Sequence, residues 1–142
     1  MADPYDLQRF VDAQEAVYED VVAELRAGRK RSHWMWFVFP QLRELGRSAT
    51  AIHFGIQSRD EAIAYLEHDV LGPRLRRCAQ LAAGSGAVTA QALMGSVDAL
   101  KLRSSMTLFA EVTDDSREFV AVLEKFYDGE PDPLTVEILG SP

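Results

Sequence analysis

The segment "GRKRSHWMWFVFPQL", residues 28–42, joins cations, hydrogen-bonding groups and large aromatic rings within a short distance. A helix N-terminus after the basic run would add backbone N–H groups that attract anions. Fixed charge for a phosphate and flat rings for stacking suit a phosphorylated aromatic ligand. His33 can act as a general acid or base, because the unperturbed pKa of histidine lies near neutral pH. We therefore predict a nucleotide- or ADP-ribose-like ligand bound by Arg29, Lys30, Arg31, Ser32, Trp34, Trp36 and Gln41.

A second polar cluster interrupts the amphipathic segment "DALKLRSSMTLF", residues 98–109. Lys101 and Ser105 are four residues apart and so share one helix face. Together with Ser104 they could clamp a phosphate or form a general-base pair. The alternative is that Lys101 pairs with Asp98 or Glu111, while the serines bond back to helix carbonyls. We assign Lys101 and Ser105, with His33, as candidate catalytic residues, and Ser104 as a candidate ligand-binding residue.

The aromatic part of residues 28–42 also has a purely structural interpretation. A helix through "HWMWFVF" is apolar on every side, and such a helix must be buried on every side. It would then be the central helix of the domain, and the basic run before it would be solvated surface charge. Buried Trp34, Trp36 and His33 would each need a partner for a ring nitrogen.

The elements that position these residues are predicted to be helices. Apolar positions recur at threes and fours along most of the chain, and short loops separate the periodic segments. The expected fold is all-α, a single compact domain over residues 1–142 with six to seven helices around a central aromatic helix. One long helix is expected from Asp6 to Gly28, whereas "RSATAIHFGI" is ambiguous between a strand and an irregular turn. The expected N-cap residues are Asp6, Ser32, Ser58, Thr89, Ser96 and Asp132.

Composition narrows the classes of function. The chain of 142 residues has a formal net charge of −7, which disfavours binding to nucleic acids or anionic membranes. A lone cysteine, Cys78, and the lack of an apolar leader indicate a reducing cytoplasm. No dinucleotide-binding or Walker A motif is present, so we expect no cofactor. His33, His53 and His68 are widely spaced, so we expect no metal site.

The words "KRSHWMWFVFPQL", "AIAYLEHDVLGPRL" and "DALKLRSSMTLFAEV" resemble the domain of unknown function 1810 family. These are small bacterial proteins, sometimes mislabelled calpastatin, and the resemblance extends from "LQRFVDAQ" to "DPLTVEIL". It implies a compact, mainly α-helical fold and no established activity. A fainter similarity, through Gly28, Ser32, Gln41 and "DALKLRSSM", is to helical proteins of NAD and ADP-ribose metabolism. In that family a Glu follows the serine region, where His33 and Trp34 stand here.

Two hypotheses follow. In the first, residues 29–41 and 101–105 form a small-molecule site, which predicts a concave pocket lined by residues of both stretches. In the second, the chain is a non-catalytic interaction domain or homodimer, which predicts a contiguous exposed apolar patch. The residue pattern does not decide whether the protein is an enzyme.

Overall fold

The computed structural model describes residues 3–140, and within that range the regular structure is helical, as predicted from the periodicity. Ten α-helices are connected by short loops, with one 3₁₀ turn at Arg43–Leu45. No helix in this range is both long and apolar enough to span a membrane. The helices are α1 (Gln8–Glu15), α2 (Tyr18–Ala27), α3 (Met35–Val38), α4 (Ala49–His53), α5 (Arg59–Glu67), α6 (Leu71–Ala83), α7 (Ala90–Met94), α8 (Ser96–Glu111), α9 (Arg117–Tyr127) and α10 (Pro133–Leu139).

The long helix predicted from Asp6 to Gly28 is wrong, because the chain forms two helices there. Val17, with φ −126° and ψ −6°, separates α1 from α2. The two helices bury their apolar faces against different neighbours, α1 against α3 and α2 against α6. Asp6 is not the cap of α1: the Asp3 carboxylate accepts hydrogen bonds from the N–H groups of Leu7 and Gln8 instead. Asp6 itself adopts a left-handed conformation with φ 51°.

The prediction of a central aromatic helix is also not confirmed, because α3 is a single turn. Trp34 has a non-helical backbone, with φ −131°, so the helix begins only at Met35 and ends before Phe39 and Pro40. The longest helix is α8, which packs against α5, α7, α9 and α10. The buried residues of α8 include Ala99, Leu102, Met106, Leu108 and Phe109.

The ambiguous segment "RSATAIHFGI", residues 47–56, forms the short helix α4 and then a turn that leads to a single bridge residue, Ile56. The Ser48 hydroxyl caps α4 by accepting from the Ala51 N–H at 3.1 Å. Leu42 and Ile56 form an isolated parallel bridge. Its backbone bonds run from the Arg43 N–H to the Ile56 carbonyl at 2.8 Å and from the Ile56 N–H to the Gln41 carbonyl at 2.9 Å. The bridge fixes the backbone of residues 41–43 beside α4.

Of the six predicted caps, three are confirmed, whereas Asp6, Ser32 and Ser96 do not cap a helix. Ser58, Thr89 and Asp132 each accept a hydrogen bond from the backbone N–H three residues later. Ser96 is the first residue of α8 rather than its cap, which is Gly95 at φ 88°. The left-handed conformation at that position suits glycine and leaves no role for a capping hydroxyl.

Candidate functional site

The basic segment folds around a carboxylate of the protein itself. Glu24, on α2, accepts hydrogen bonds from the backbone N–H groups of Arg31 at 2.6 Å and Ser32 at 3.0 Å. It also accepts from the Ser32 hydroxyl and from the indole N–H of Trp34, the latter at 3.0 Å. Burial alone would raise the pKa of Glu24, but these hydrogen bonds outweigh it and lower the pKa to about 2. Glu24 therefore stays ionised at neutral pH and holds the loop in place.

This arrangement explains why Ser32 is not the N-cap of α3. Its hydroxyl and N–H both bond to Glu24, eight residues earlier in the chain. The backbone N–H groups of Arg31 and Ser32 already donate to the Glu24 carboxylate, so neither is free to bind a ligand anion. Trp34 is only 1% exposed, and its ring packs in the core beside Phe39 at 6.2 Å between centroids. A ligand from solution does not reach the Trp34 ring in this conformation.

Two lysines share one carboxylate and connect the two predicted stretches. The Lys30 ammonium, with its side chain 8% exposed, lies 3.0 Å from Asp98, and Lys101 lies 3.7 Å from the same carboxylate. Lys30 also donates to the Ser32 carbonyl. The Lys30 ammonium lies 5.1 Å from the Trp34 ring centroid, and that of Lys101 lies 5.5 Å from the Trp36 centroid. The cluster carries two positive charges against one negative charge, which favours an anion nearby.

Lys101 opens onto a groove of about 490 Å³ between α4, α8 and α10, which we call the α8 groove. Its volume lies in the range typical of small-molecule sites. It brings together Gln41, Lys101 and Ser104, which come from both predicted stretches. Trp36 and Lys101 line a small adjoining recess. The walls of the α8 groove are apolar side chains, namely Leu45, Ala51, Val97, Leu100 and Leu134.

The polar groups of the α8 groove differ in whether they already form hydrogen bonds or ion pairs within the protein. Asp132 accepts from the Ser104 hydroxyl at 3.3 Å and from the Thr135 backbone N–H at 3.1 Å, both through Oδ2. Arg103 donates to the carbonyls of Glu130 and Pro131. Arg47 is exposed and lines the groove, and it forms no ion pair with any residue in 3–140. Arg47 and Lys101 are therefore the cations best placed to hold a ligand anion.

The three candidate catalytic residues do not meet in the α8 groove. His33 is exposed and does not line it. Ser105 is completely buried, and its hydroxyl is the one buried side-chain oxygen without a hydrogen-bond partner in residues 3–140. Arg29 and Arg31 are exposed and lie outside the groove lining. Lys101 alone of the three lines the groove, so the geometry supports binding there and provides no assembled acid–base pair.

Two residues of the groove, Arg47 and Asp132, were not predicted from the sequence to bind a ligand. Arg47 lies between Gly46 and Ser48, which caps α4. A cation directly before a helix cap is the sequence feature that could have identified Arg47 as a binding residue. Asp132 was identified only as a cap. Its place in the groove depends on the packing of α10 against α8, which local sequence patterns do not encode.

The rim of the α8 groove exposes an unusual amount of apolar surface. Val97 is 67% exposed, Leu100 69% and Leu134 57%, and all three line the groove. Large apolar side chains grouped around a concavity are typical of binding sites. In the same described range, no three His, Cys, Asp or Glu residues gather into a cluster able to hold a metal ion.

The fold of this chain agrees with that of a similar protein of known structure. The chain superposes on the crystal structure of the conserved hypothetical protein Rv1873 from Mycobacterium tuberculosis with a TM-score of 0.95. The two share 57% sequence identity over 96% of this chain and 98% of that one. Among curated proteins none matches. The family model described as "Protein of unknown function (DUF1810)" matches residues 4–139. The chain therefore belongs to the DUF1810 family of proteins of unknown function.

Proposed function

We propose that the protein binds a small organic anion in the α8 groove, with the anionic group at Arg47 and Lys101 and an apolar or aromatic body against Leu100 and Leu134. A nucleotide is the first candidate of this class. The observation that carries the proposal is the convergence of Gln41, Lys101 and Ser104 on one groove that also contains an unpaired arginine.

The electrostatics of the groove support an anion although the chain is acidic overall. Lys101 is only weakly paired, at 3.7 Å from Asp98, and Asp98 is already closer to Lys30. The apolar walls lower the local dielectric constant, so a charge in the recess acts more strongly on a ligand than the same charge on open surface. Lys101 is held over Trp36, which limits the entropy it loses on binding.

The test is a thermal-shift screen of the wild-type protein against NAD, ADP-ribose, mononucleotides and sugar phosphates. A ligand at a hundred times its Kd adds about 2.7 kcal/mol, which raises Tm by roughly 5 to 10 °C. We expect the double variant Arg47→Gln, Lys101→Met to lose this shift. The matched control Arg29→Gln removes a cation outside the groove and should keep it. An equal loss in the control, or no shift with any anion, would contradict the proposal.

A second candidate function is non-catalytic protein interaction, and the exposure of Val97, Leu100 and Leu134 favours it. A second copy of the chain is the simplest partner of this kind. Light scattering on a size-exclusion column distinguishes the candidates: a dimer that Leu100→Glu converts to monomer supports the interaction surface. A monomer at all concentrations, together with a ligand shift, supports the small-molecule groove.

A further inference from the structure

A second pocket, of about 620 Å³, lies between the N-terminal segment, α4 and α5. It shares no lining residue with the α8 groove: Ile52 and His53 of α4 face this pocket, whereas Ser48 and Ala51 line the groove. Its lining is mainly polar and includes Asp6, Arg9, Arg43 and Glu61. We call it the Arg9 pocket. Nothing in the function proposed above involves it.

The floor of the Arg9 pocket is a fully bonded ion pair. The side chains of Arg9 and Glu61 are 10% and 2% exposed and approach to 2.9 Å. Arg9 also donates to the carbonyls of His53 at 3.0 Å, Asp6 at 2.8 Å and Gly55 at 3.2 Å, as well as to that of Tyr5. These bonds use all five N–H groups of the guanidinium. The floor is therefore rigid and offers no free charge of its own.

The wall of the Arg9 pocket, in contrast, carries one free charge of each sign. Asp6 and Arg43 are both exposed residues of the pocket lining. Neither group forms an ion pair with the other, or with any other group in the part of the chain that the structure describes. The two opposite charges are thus more than an ion-pair distance apart.

Contacts of the main chain fix the backbone of both residues. The Asp6 carbonyl accepts from the Arg9 guanidinium, which keeps Asp6 at φ 51°. That left-handed conformation costs roughly 1 to 2 kcal/mol for most residues, and aspartate is one of the few that adopt it. The Arg43 N–H bonds to Ile56, and Gly55 packs directly on the Arg43 backbone. Two opposite charges that line one pocket, on residues whose backbones are fixed, suit a ligand that carries both charges.

We propose that the Arg9 pocket binds a free α-amino acid as its zwitterion. Its carboxylate pairs with the Arg43 guanidinium, which suits bidentate recognition. Its ammonium group pairs with the Asp6 carboxylate, and its side chain lies against Tyr5 and Ile52, which also line the pocket. The pocket is large enough for an amino acid with a long side chain.

The test is an NMR titration of the ¹⁵N-labelled protein with the standard free L-amino acids, up to about 10 mM, or ten times a Kd of about 1 mM. We expect at least one of them to shift the amide signals of Gly55 and Gln57. Its N-acetyl derivative, which lacks the ammonium group, and its carboxamide, which lacks the carboxylate, should each bind about tenfold more weakly, because each loses one charge-assisted hydrogen bond.

The variants make the assignment specific. In Asp6→Asn the N-acetyl derivative should bind as well as the free amino acid, because the ammonium has lost its partner. In Arg43→Gln the carboxamide should bind as well as the free amino acid, because the ligand carboxylate has lost its partner. Asparagine also tolerates the left-handed backbone, so Asp6→Asn should fold. The control Arg47→Gln, in the α8 groove, should leave the titration unchanged.

Three results would overturn the proposal. The first is the absence of any shift with any free amino acid at 10 mM, about ten times the expected Kd. The second is equal binding of the N-acetyl derivative to the wild-type protein, which would make the pocket a simple anion site. The third is an equal loss of binding in Arg47→Gln, which would place the amino acid in the α8 groove. Since the two sites share no lining residue, failure here leaves the groove proposal standing.

Discussion

The Glu24 carboxylate should be a main determinant of stability in the segment that joins α2 to α3. We predict that Glu24→Gln destabilises the protein by about 1.5 to 3 kcal/mol at pH 7, the usual range for hydrogen bonds to a charged group. Glutamine keeps one acceptor oxygen, but its NH₂ group replaces the oxygen that accepts from the Ser32 hydroxyl. The three bonds to the other oxygen, from Arg31, Ser32 and Trp34, also become neutral and weaker.

The pH dependence of this effect has a defined sign. The pKa of Glu24 falls from 4.5 to about 2 on folding, since the hydrogen bonds outweigh the opposing effect of burial. The carboxylate therefore contributes its full stabilisation above pH 4.5, and this is lost as pH falls toward 2. After a discount for solvent screening of this partly exposed group, the difference between wild type and Glu24→Gln should shrink by roughly 1 kcal/mol between pH 6 and pH 3.5.

Urea unfolding followed by tryptophan fluorescence measures both quantities, because Trp34 is bonded to Glu24. The matched control is Glu124→Gln: Glu124 is exposed on α9 and forms no ion pair within the described range. The control should change stability by less than about 0.5 kcal/mol at pH 7. The reasoning fails if both variants lose the same free energy of unfolding. It fails equally if the wild-type advantage over Glu24→Gln does not shrink at low pH.

Three further predictions concern packing and burial. Gly55→Ala should cost about 1 to 3 kcal/mol in urea unfolding, because the added Cβ would lie 2.4 Å from the Arg43 Cα, whereas Gly86→Ala, with nothing within 4 Å, should be close to neutral. Cys78 should react with a thiol reagent at neutral pH only after unfolding, since burial raises its pKa to about 12; fast labelling of the native protein would contradict this. Ser105→Ala should leave Tm unchanged or raise it by an amount equivalent to about 1 kcal/mol, because it removes a buried hydroxyl without a partner; a clear fall in Tm would refute this.

The local pattern of the sequence was enough to predict the fold class and several helix ends. Ser58, Thr89 and Asp132 cap helices as predicted, because in each case the hydroxyl or carboxylate meets the N–H three residues later. Ser32 has the same local pattern and does not cap, because Glu24, eight residues earlier, takes its hydroxyl and its N–H. A competing partner across a loop is not visible in a local window, so this error could not be avoided from the sequence.

The candidate site was predicted in part for a related reason. Lys101 and Ser104 are three residues apart on α8 and both line the groove, as helical spacing allows. Ser105 follows Ser104 by one residue, and a rotation of roughly 100° about the helix axis turns it into the core, where it is fully buried. Which of two adjacent serines lines the groove depends on the neighbours of α8. The sequence shows the polar pair, but the packing of α10 against α8 decides which member borders the groove.

Charge density along the sequence proved a poor guide to the cations that a ligand can use. The run from Arg29 to Arg31 is conspicuous, yet Lys30 is paired with Asp98, and the two arginines line neither the α8 groove nor the Arg9 pocket. Arg43 and Arg47 are isolated in the sequence, yet each lines a concavity and lacks an ion-pair partner within residues 3–140. A charge in a recess acts through a lower effective dielectric constant, and the recess focuses its field and raises the local concentration of anions. Both proposals therefore depend on residues 41–47, a segment in which the bridge between Leu42 and Ile56 fixes the backbone of residues 41–43.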